Sequence, residues 1–136
     1  MAVLIACTHQ TGDVSQVSRA YGCTAPNETT NILLSKYRWL ATTTSAPNVQ
    51  DREAMGLPFL SSSEVRVVVD APTCSRAVVA FNRAFEPDPS TTTEVHVLRF
   101  GPTHYVVVDE HRTAGEWLYR ATFDSSFTRI LSRGRE

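Results

Sequence analysis

The chain has one lysine, three cysteines and no run of roughly 18 apolar residues, and each shortage narrows what it can be. Without such a run there is no candidate membrane-spanning helix. Cys7, Cys23 and Cys74 are too few for a disulfide framework, and none lies in the CxxC spacing of a zinc site. Lys36 is the only lysine among 13 basic residues, which are offset by 14 acidic ones to a formal charge of −1. A chain so balanced has no global field to recruit nucleic acid or an anionic membrane. GxSxG, HExxH, phosphate-loop and dinucleotide patterns are absent, as is any internal repeat.

What is present is 136 residues with 42% hydrophobic content, enough for one domain with a single core. The division expected is an N-terminal arm over 1–31, one domain over 32–133 and a short tail over 134–136. The arm opens on MAVLIA, followed by Cys7 and a polar stretch. Leu4, Ile5, Ala6 and Cys7 resemble a bacterial lipobox, in which the cysteine carries lipid after signal cleavage. Only six residues precede Cys7, shorter than the basic and apolar regions of an ordinary signal. The competing reading is a short N-terminal strand.

Periodicity sets the expected elements. In NILLSKYRWLATTT (31–44), alternation places Leu33, Tyr37 and Trp39 opposite Lys36 and Arg38, which predicts a strand. Ser45, Pro47 and Gly56 bracket a short helix. EVRVVVD (64–70) predicts a strand with Val65, Val67 and Val69 on its apolar face. Cys74, Val78, Phe81 and Phe85 recur at spacings of four, three and four, the stripe of an amphipathic helix entered at Pro72 and broken over 86–90. A meander follows over 93–100, 104–109 and 116–123, with a final strand in FTRILS (127–132). The fold class expected is α+β: one long helix packed on a curled antiparallel sheet of four to five strands, plus a short helix and the N-terminal arm.

Four stretches in order, SAPNVQDREAMGLP, VVVDAPTCSRAVVAFNRAF, VHVLRFG with HYVVVDEHRTAGEW, and FDSSFTRIL, resemble a group of short, uncharacterised exported bacterial proteins. The resemblance covers 36–131 and places Thr73, Cys74, Arg76, Ala77, Phe81 and Asn82 in one helix. It implies export and a domain of this size, and carries no assigned activity. The N-terminus departs from the group, because its signal is all but missing. The YVVVD and ATFD segments also resemble PepSY-type periplasmic domains, some of which act as inhibitors.

Candidate chemistry is sparse. Cys74 lies on the apolar stripe as a buried thiol, as a disulfide partner of Cys23, or as a catalytic thiolate, the last requiring a nearby base. His104 and Asp109 sit at opposite ends of a strand and on opposite faces. Asp109, Glu110, His111 and Arg112 read as a solvated turn, and His96 and His104 as a cross-strand polar pair. Arg76 and Arg83, seven apart on one helix face, form either a clamp for a carboxylate or phosphate or an ordinary solvated flank. Trp39 and Trp117 read as core or sheet-edge residues, or as an aromatic platform.

The leading expectation is a non-catalytic exported domain that binds a protein partner or itself through a sheet edge or the N-terminal arm. It would take no cofactor, metal or nucleic acid, and would meet a membrane only through lipid on Cys7. One alternative is a small enzyme whose pocket lies between helix and meander, lined by His96, His104, Tyr105 and Tyr119. The other is a PepSY-like inhibitor.

Overall fold

A computed structural model describes residues 23–85, 93–111 and 117–135. They form α1 (Glu28–Thr42), α2 (Ala46–Ala54), a single 3-10 turn (Ser62–Glu64), β1 (Val65–Val67), α3 (Ala71–Phe85), β2 (Thr93–Phe100), β3 (His104–His111), β4 (Trp117–Asp124) and β5 (Ile130–Arg135). The five strands make one open antiparallel sheet in sequence order, β1 to β5. The fold is α+β.

Helices cover both faces of this sheet. On one face α3 buries Cys74, Ala77, Ala80, Phe81 and Ala84 against Val95, Val97, Tyr105, Val107, Ala121 and Phe123. On the other, α1 buries Leu33, Tyr37, Leu40 and Ala41 against Val65, Leu98, Phe100, Val106 and Val108. Successive side chains of a strand alternate between faces. A strand covered on both sides is therefore apolar throughout, and Val106, Val107 and Val108 are all buried.

The second covered face corrects the sequence reading. NILLSKYRWLATTT is helical, and its buried residues fall at 33, 37, 40 and 41, a period of 3.6 rather than 2. Asn27 starts the helix: its side chain accepts from the Thr30 amide at 3.1 Å, while the Thr30 hydroxyl accepts from the Asn27 amide at 3.0 Å. Trp39, expected in the core or at a sheet edge, points outward and is 54% exposed. With 15 residues each, α1 and α3 are equals, so there is no single long helix.

Smaller departures follow from local pairing. The strand expected over 64–70 is three residues long, and Val69 is 67% exposed. Its neighbour Val68 instead turns toward the α3 core, its amide donating to the Val97 carbonyl at 2.8 Å. Asp109, expected in a solvated turn with Glu110 and His111, is buried within β3, where all three are strand residues. The last strand begins at Ile130 and includes Gly134 and Arg135, residues read as a tail. The α2 helix with Pro47 near its start, and the left-handed exit at Gly56 (φ 73°), lie where the sequence puts them. Expectations for 1–22, for the break at 86–90 and for the loop at 112–116 fall outside the described residues.

Candidate functional site

The four residues expected to line one pocket are divided by the sheet. His96 pairs opposite Val108, and His104 opposite Phe100 and Asp124, which puts both histidines on the α1 face. Tyr105 and Tyr119 belong to the α3 face, where Tyr105 stacks on Phe127 (4.5 Å) and Tyr119 packs on Phe85 (5.4 Å). The histidines do not meet either. His96 lies under the start of α1, its Nδ1 2.9 Å from the Thr30 hydroxyl. His104 sits four residues along β2's register from it, beside Thr103, and burial holds its pKa below the usual value against the opposing charge of Asp124.

Cys23 and Cys74 are joined by a disulfide across 51 residues. The bond anchors the arm where it meets the sheet: the Thr24 amide donates to the Val95 carbonyl at 2.8 Å, and the Val95 amide donates to the Thr24 hydroxyl at 2.9 Å. Cys7 lies outside the described residues. Among those described, no helix is long and apolar enough to cross a membrane, and no three His, Cys, Asp or Glu side chains converge as a metal site.

Polar groups do converge in a groove between α3 and the β4–β5 turn. A cleft of about 340 Å³ is lined by Ser75, Arg76, Val79, Ala80 and Arg83 of α3 and by Ser126, Phe127 and Thr128 of the β4–β5 turn. Seven-residue spacing puts Arg76 and Arg83 on the same flank, with Val79 between them. The turn is built around Asp124. Its carboxylate accepts from the amides of Thr128 (2.8 Å) and Arg129 (2.9 Å) and from the hydroxyls of Ser126 (2.9 Å) and Thr128 (2.7 Å). Desolvation raises the pKa of this carboxyl, but the hydrogen bonds from Arg129, Thr128 and Ser126 outweigh it and lower the pKa to about 2.

This clasp holds Phe127 at φ 58°, a left-handed conformation that a bulky residue rarely adopts. What offsets the strain is ring packing, since Phe127 stacks on Tyr105 and lies 5.7 Å from Phe123. The Arg76 guanidinium sits over the outer side of the same ring, 5.6 Å from its centroid. Further along, Arg133 donates to the Ala84 carbonyl at 2.6 Å, tying the end of α3 to β5. The Arg76 end of α3 therefore points to the β4–β5 turn and its Ala84 end is reached by the Arg133 side chain, while the helix itself packs over β2 and β3.

The chain matches no family model, no curated protein and no solved structure. What the groove can do is thus read from its own side chains. Two exposed arginines flank exposed Val79, and the turn facing them leads into β5, a terminal strand with β4 on one side and no strand on the other among the described residues. Ile130, at the head of β5, is 48% exposed. The arginine spacing was visible in the sequence. The role of Phe127 was not, because nothing in FDSSFTR marks a phenylalanine for a left-handed turn; only the Asp124, Ser125, Ser126 cluster signalled a bend.

A second, smaller cleft of about 270 Å³ lies at the opposite edge, lined by Glu64, Arg66, Arg99, Gly101 and Pro102. Its guanidinium groups are already engaged, Arg66 with the Ser63 carbonyl (3.2 Å) and Arg99 with the Gly101 carbonyl (3.1 Å). The groove between α3 and the β4–β5 turn is the larger of these two clefts.

Proposed function

We propose that this domain is a non-catalytic binding module that takes up an extended polypeptide as a sixth strand beside β5. One observation carries the reading: β5 is a six-residue terminal strand with no strand on its outer side among the described residues. Backbone amides and carbonyls on the outer side of such a strand template another chain. The Cys23 to Cys74 disulfide supports work in an oxidising compartment, in keeping with export.

The test is an array of extended ten-residue peptides screened against the intact protein. Binders should slow hydrogen exchange of the amides in Ile130–Arg135. Methylating the backbone nitrogens of a binder one at a time should abolish binding at alternate positions only, because an added strand presents every second amide to its neighbour. Binders that leave β5 exchange unchanged, or that tolerate methylation everywhere, would overturn the proposal. Concentration-dependent sedimentation with the same protection pattern would identify the added strand as part of a second copy of this chain.

A further inference from the structure

We infer that the chain accepted beside β5 carries a carboxylate in the position opposite Gly134, where Arg120 receives it. This rests on the strand-addition reading and specifies what the added strand must bring.

Arg120 lies on β4 opposite Val108, hence on the α1 face of the sheet, and is 7% exposed. Its Nε is enclosed without an acceptor, and no hydrogen bond or ion pair to its guanidinium exists among the described residues. Buried cations are ordinarily paired, because taking an unmatched charge out of water is costly. The other enclosed arginine, Arg52, obeys that rule, donating to the carbonyls of Leu40 (2.9 Å) and Thr43 (2.8 Å). Arg120 is a recognition group held ready without its counterpart.

Gly134 shows where the counterpart enters. It pairs opposite Arg120 in β5, the outermost strand at that end of the sheet. A methyl group placed on Gly134 would lie 2.9 Å from Nη2 of Arg120 and 4.0 Å from its Cζ, and apart from the chain neighbours no other atom of the described residues comes within 4 Å. The guanidinium therefore reaches from β4 onto the edge strand, over the one residue of β5 without a side chain to obstruct it. A sixth strand would run about 4.8 Å beyond β5. Its residue opposite Gly134 projects on the same face, with directly opposed Cβ positions about 5 Å apart. An aspartate or glutamate at that position leans over Gly134 and sets its oxygens on Arg120.

The charge of the edge points the same way. From Thr128 to Arg135 the chain carries three arginines and no acid. Arg133 and Arg135 pair opposite Ala121 and Tyr119, on the α3 face, so guanidinium groups stand on both faces of this edge. Opposite charges across a strand pair stabilise it and like charges destabilise it. A second copy of β5 would bring arginines together and offer Arg120 no acid, which argues for an acidic polypeptide instead. Phosphate would suit a guanidinium equally, but only a peptide backbone answers the alternating amides and carbonyls of β5.

Fluorescence anisotropy on the intact protein tests this with three labelled peptides, Thr-Val-Thr-Xaa-Thr-Val-Thr with glutamate, glutamine or lysine at Xaa. The glutamate peptide should bind at least tenfold more tightly than the glutamine peptide, and the lysine peptide more weakly than both. Arg120→Met keeps the length and removes the charge: it should make glutamate and glutamine equal while the glutamine peptide binds as before, which also shows that the variant is folded. A second readout needs no variant, since the Nε–Hε resonance of Arg120 should shift with the glutamate peptide and stay in place with the glutamine peptide. Equal affinity of these two peptides, both protecting β5 amides, overturns the acid while strand addition stands. A shift of the Arg120 resonance without β5 protection overturns strand addition. A glutamate preference that survives in Arg120→Met overturns the role of Arg120, and inorganic phosphate that displaces the glutamate peptide at equal concentration overturns the peptide ligand.

Discussion

At the β1 end of the sheet the outermost row is pieced together from three short segments. β1 pairs with Leu98 to Phe100 of β2, Val68 continues the pairing at Val97, and Thr24 completes it at Val95, held there by the disulfide between Cys23 and Cys74. At the β5 end the outermost row is one continuous strand twice as long as β1 (six residues against three). Long edges invite uncontrolled pairing, and chains usually blunt them. One edge here is short, interrupted and pinned by a covalent bond and the other is a continuous strand, so the contrast separates a pinned edge from the edge proposed for binding.

The sharpest way to break the contrast is to unlock the pinned edge. Cys23→Ser with Cys74→Ser should lower stability by about 4 kcal/mol, the loop-closure cost for a 51-residue separation, measured by urea unfolding. Exchange at Val95 should accelerate while exchange in β5 stays as it was; equal acceleration at both edges would mean that the bond supports the whole fold. A smaller effect is expected at the open edge. Asp124→Ala removes the acceptor of four hydrogen bonds in a partly exposed turn and should cost about 2 kcal/mol, with Phe127 and the groove disturbed before the core.

Acid sharpens the same point. The Asp124 pKa is depressed in the folded chain, so its contribution is fully present above about pH 4 and is lost as the pH falls toward about 2. Asp124→Asn should flatten stability against pH over that window; an unchanged profile would remove Asp124 from its list of causes. The smallest effect belongs to Thr24→Val, which deletes only the hydroxyl accepting from the Val95 amide. It should cost about 1 kcal/mol and quicken exchange at Val95 alone.

The α3 helix and the meander were legible because each shows one clear period: the Cys74, Phe81 stripe for the helix, and hairpin turns such as Gly101 (φ 69°) for the strands. α1 was not, since aromatic and β-branched content made 31–44 resemble a strand, and only the capping pair Asn27 and Thr30 argued for a helix. That error hid the second covered face. With it went the surroundings of His96 and His104, while the expectation of one pocket with Tyr105 and Tyr119 fails on strand geometry, since consecutive residues His104 and Tyr105 face opposite sides of β3. Asp109 misled for a related reason: a charged residue followed by two polar ones reads as a loop unless its burial in a strand is known. Half of the groove was readable, the arginine pair on α3. The other half depends on a left-handed phenylalanine that no local rule selects.

Covering the sheet on both sides also removes a safeguard that most antiparallel sheets have. Where one face is wet, slipping a strand by one residue throws its apolar side chains into water, so alternation alone sets the alignment. In β3, with Val106, Val107 and Val108 all enclosed, a one-step slip would exchange valine for valine. Alignment must then come from the few enclosed polar groups, each of which has one correct address: His96 against the Thr30 hydroxyl, Thr122 donating to the Met55 carbonyl at 2.7 Å, and Arg120 resting on Gly134, where even a methyl group would come within 2.9 Å of the guanidinium. These residues act as the alignment keys of the sheet, and replacing them by apolar residues of matching size would put its uniqueness at risk before its compactness.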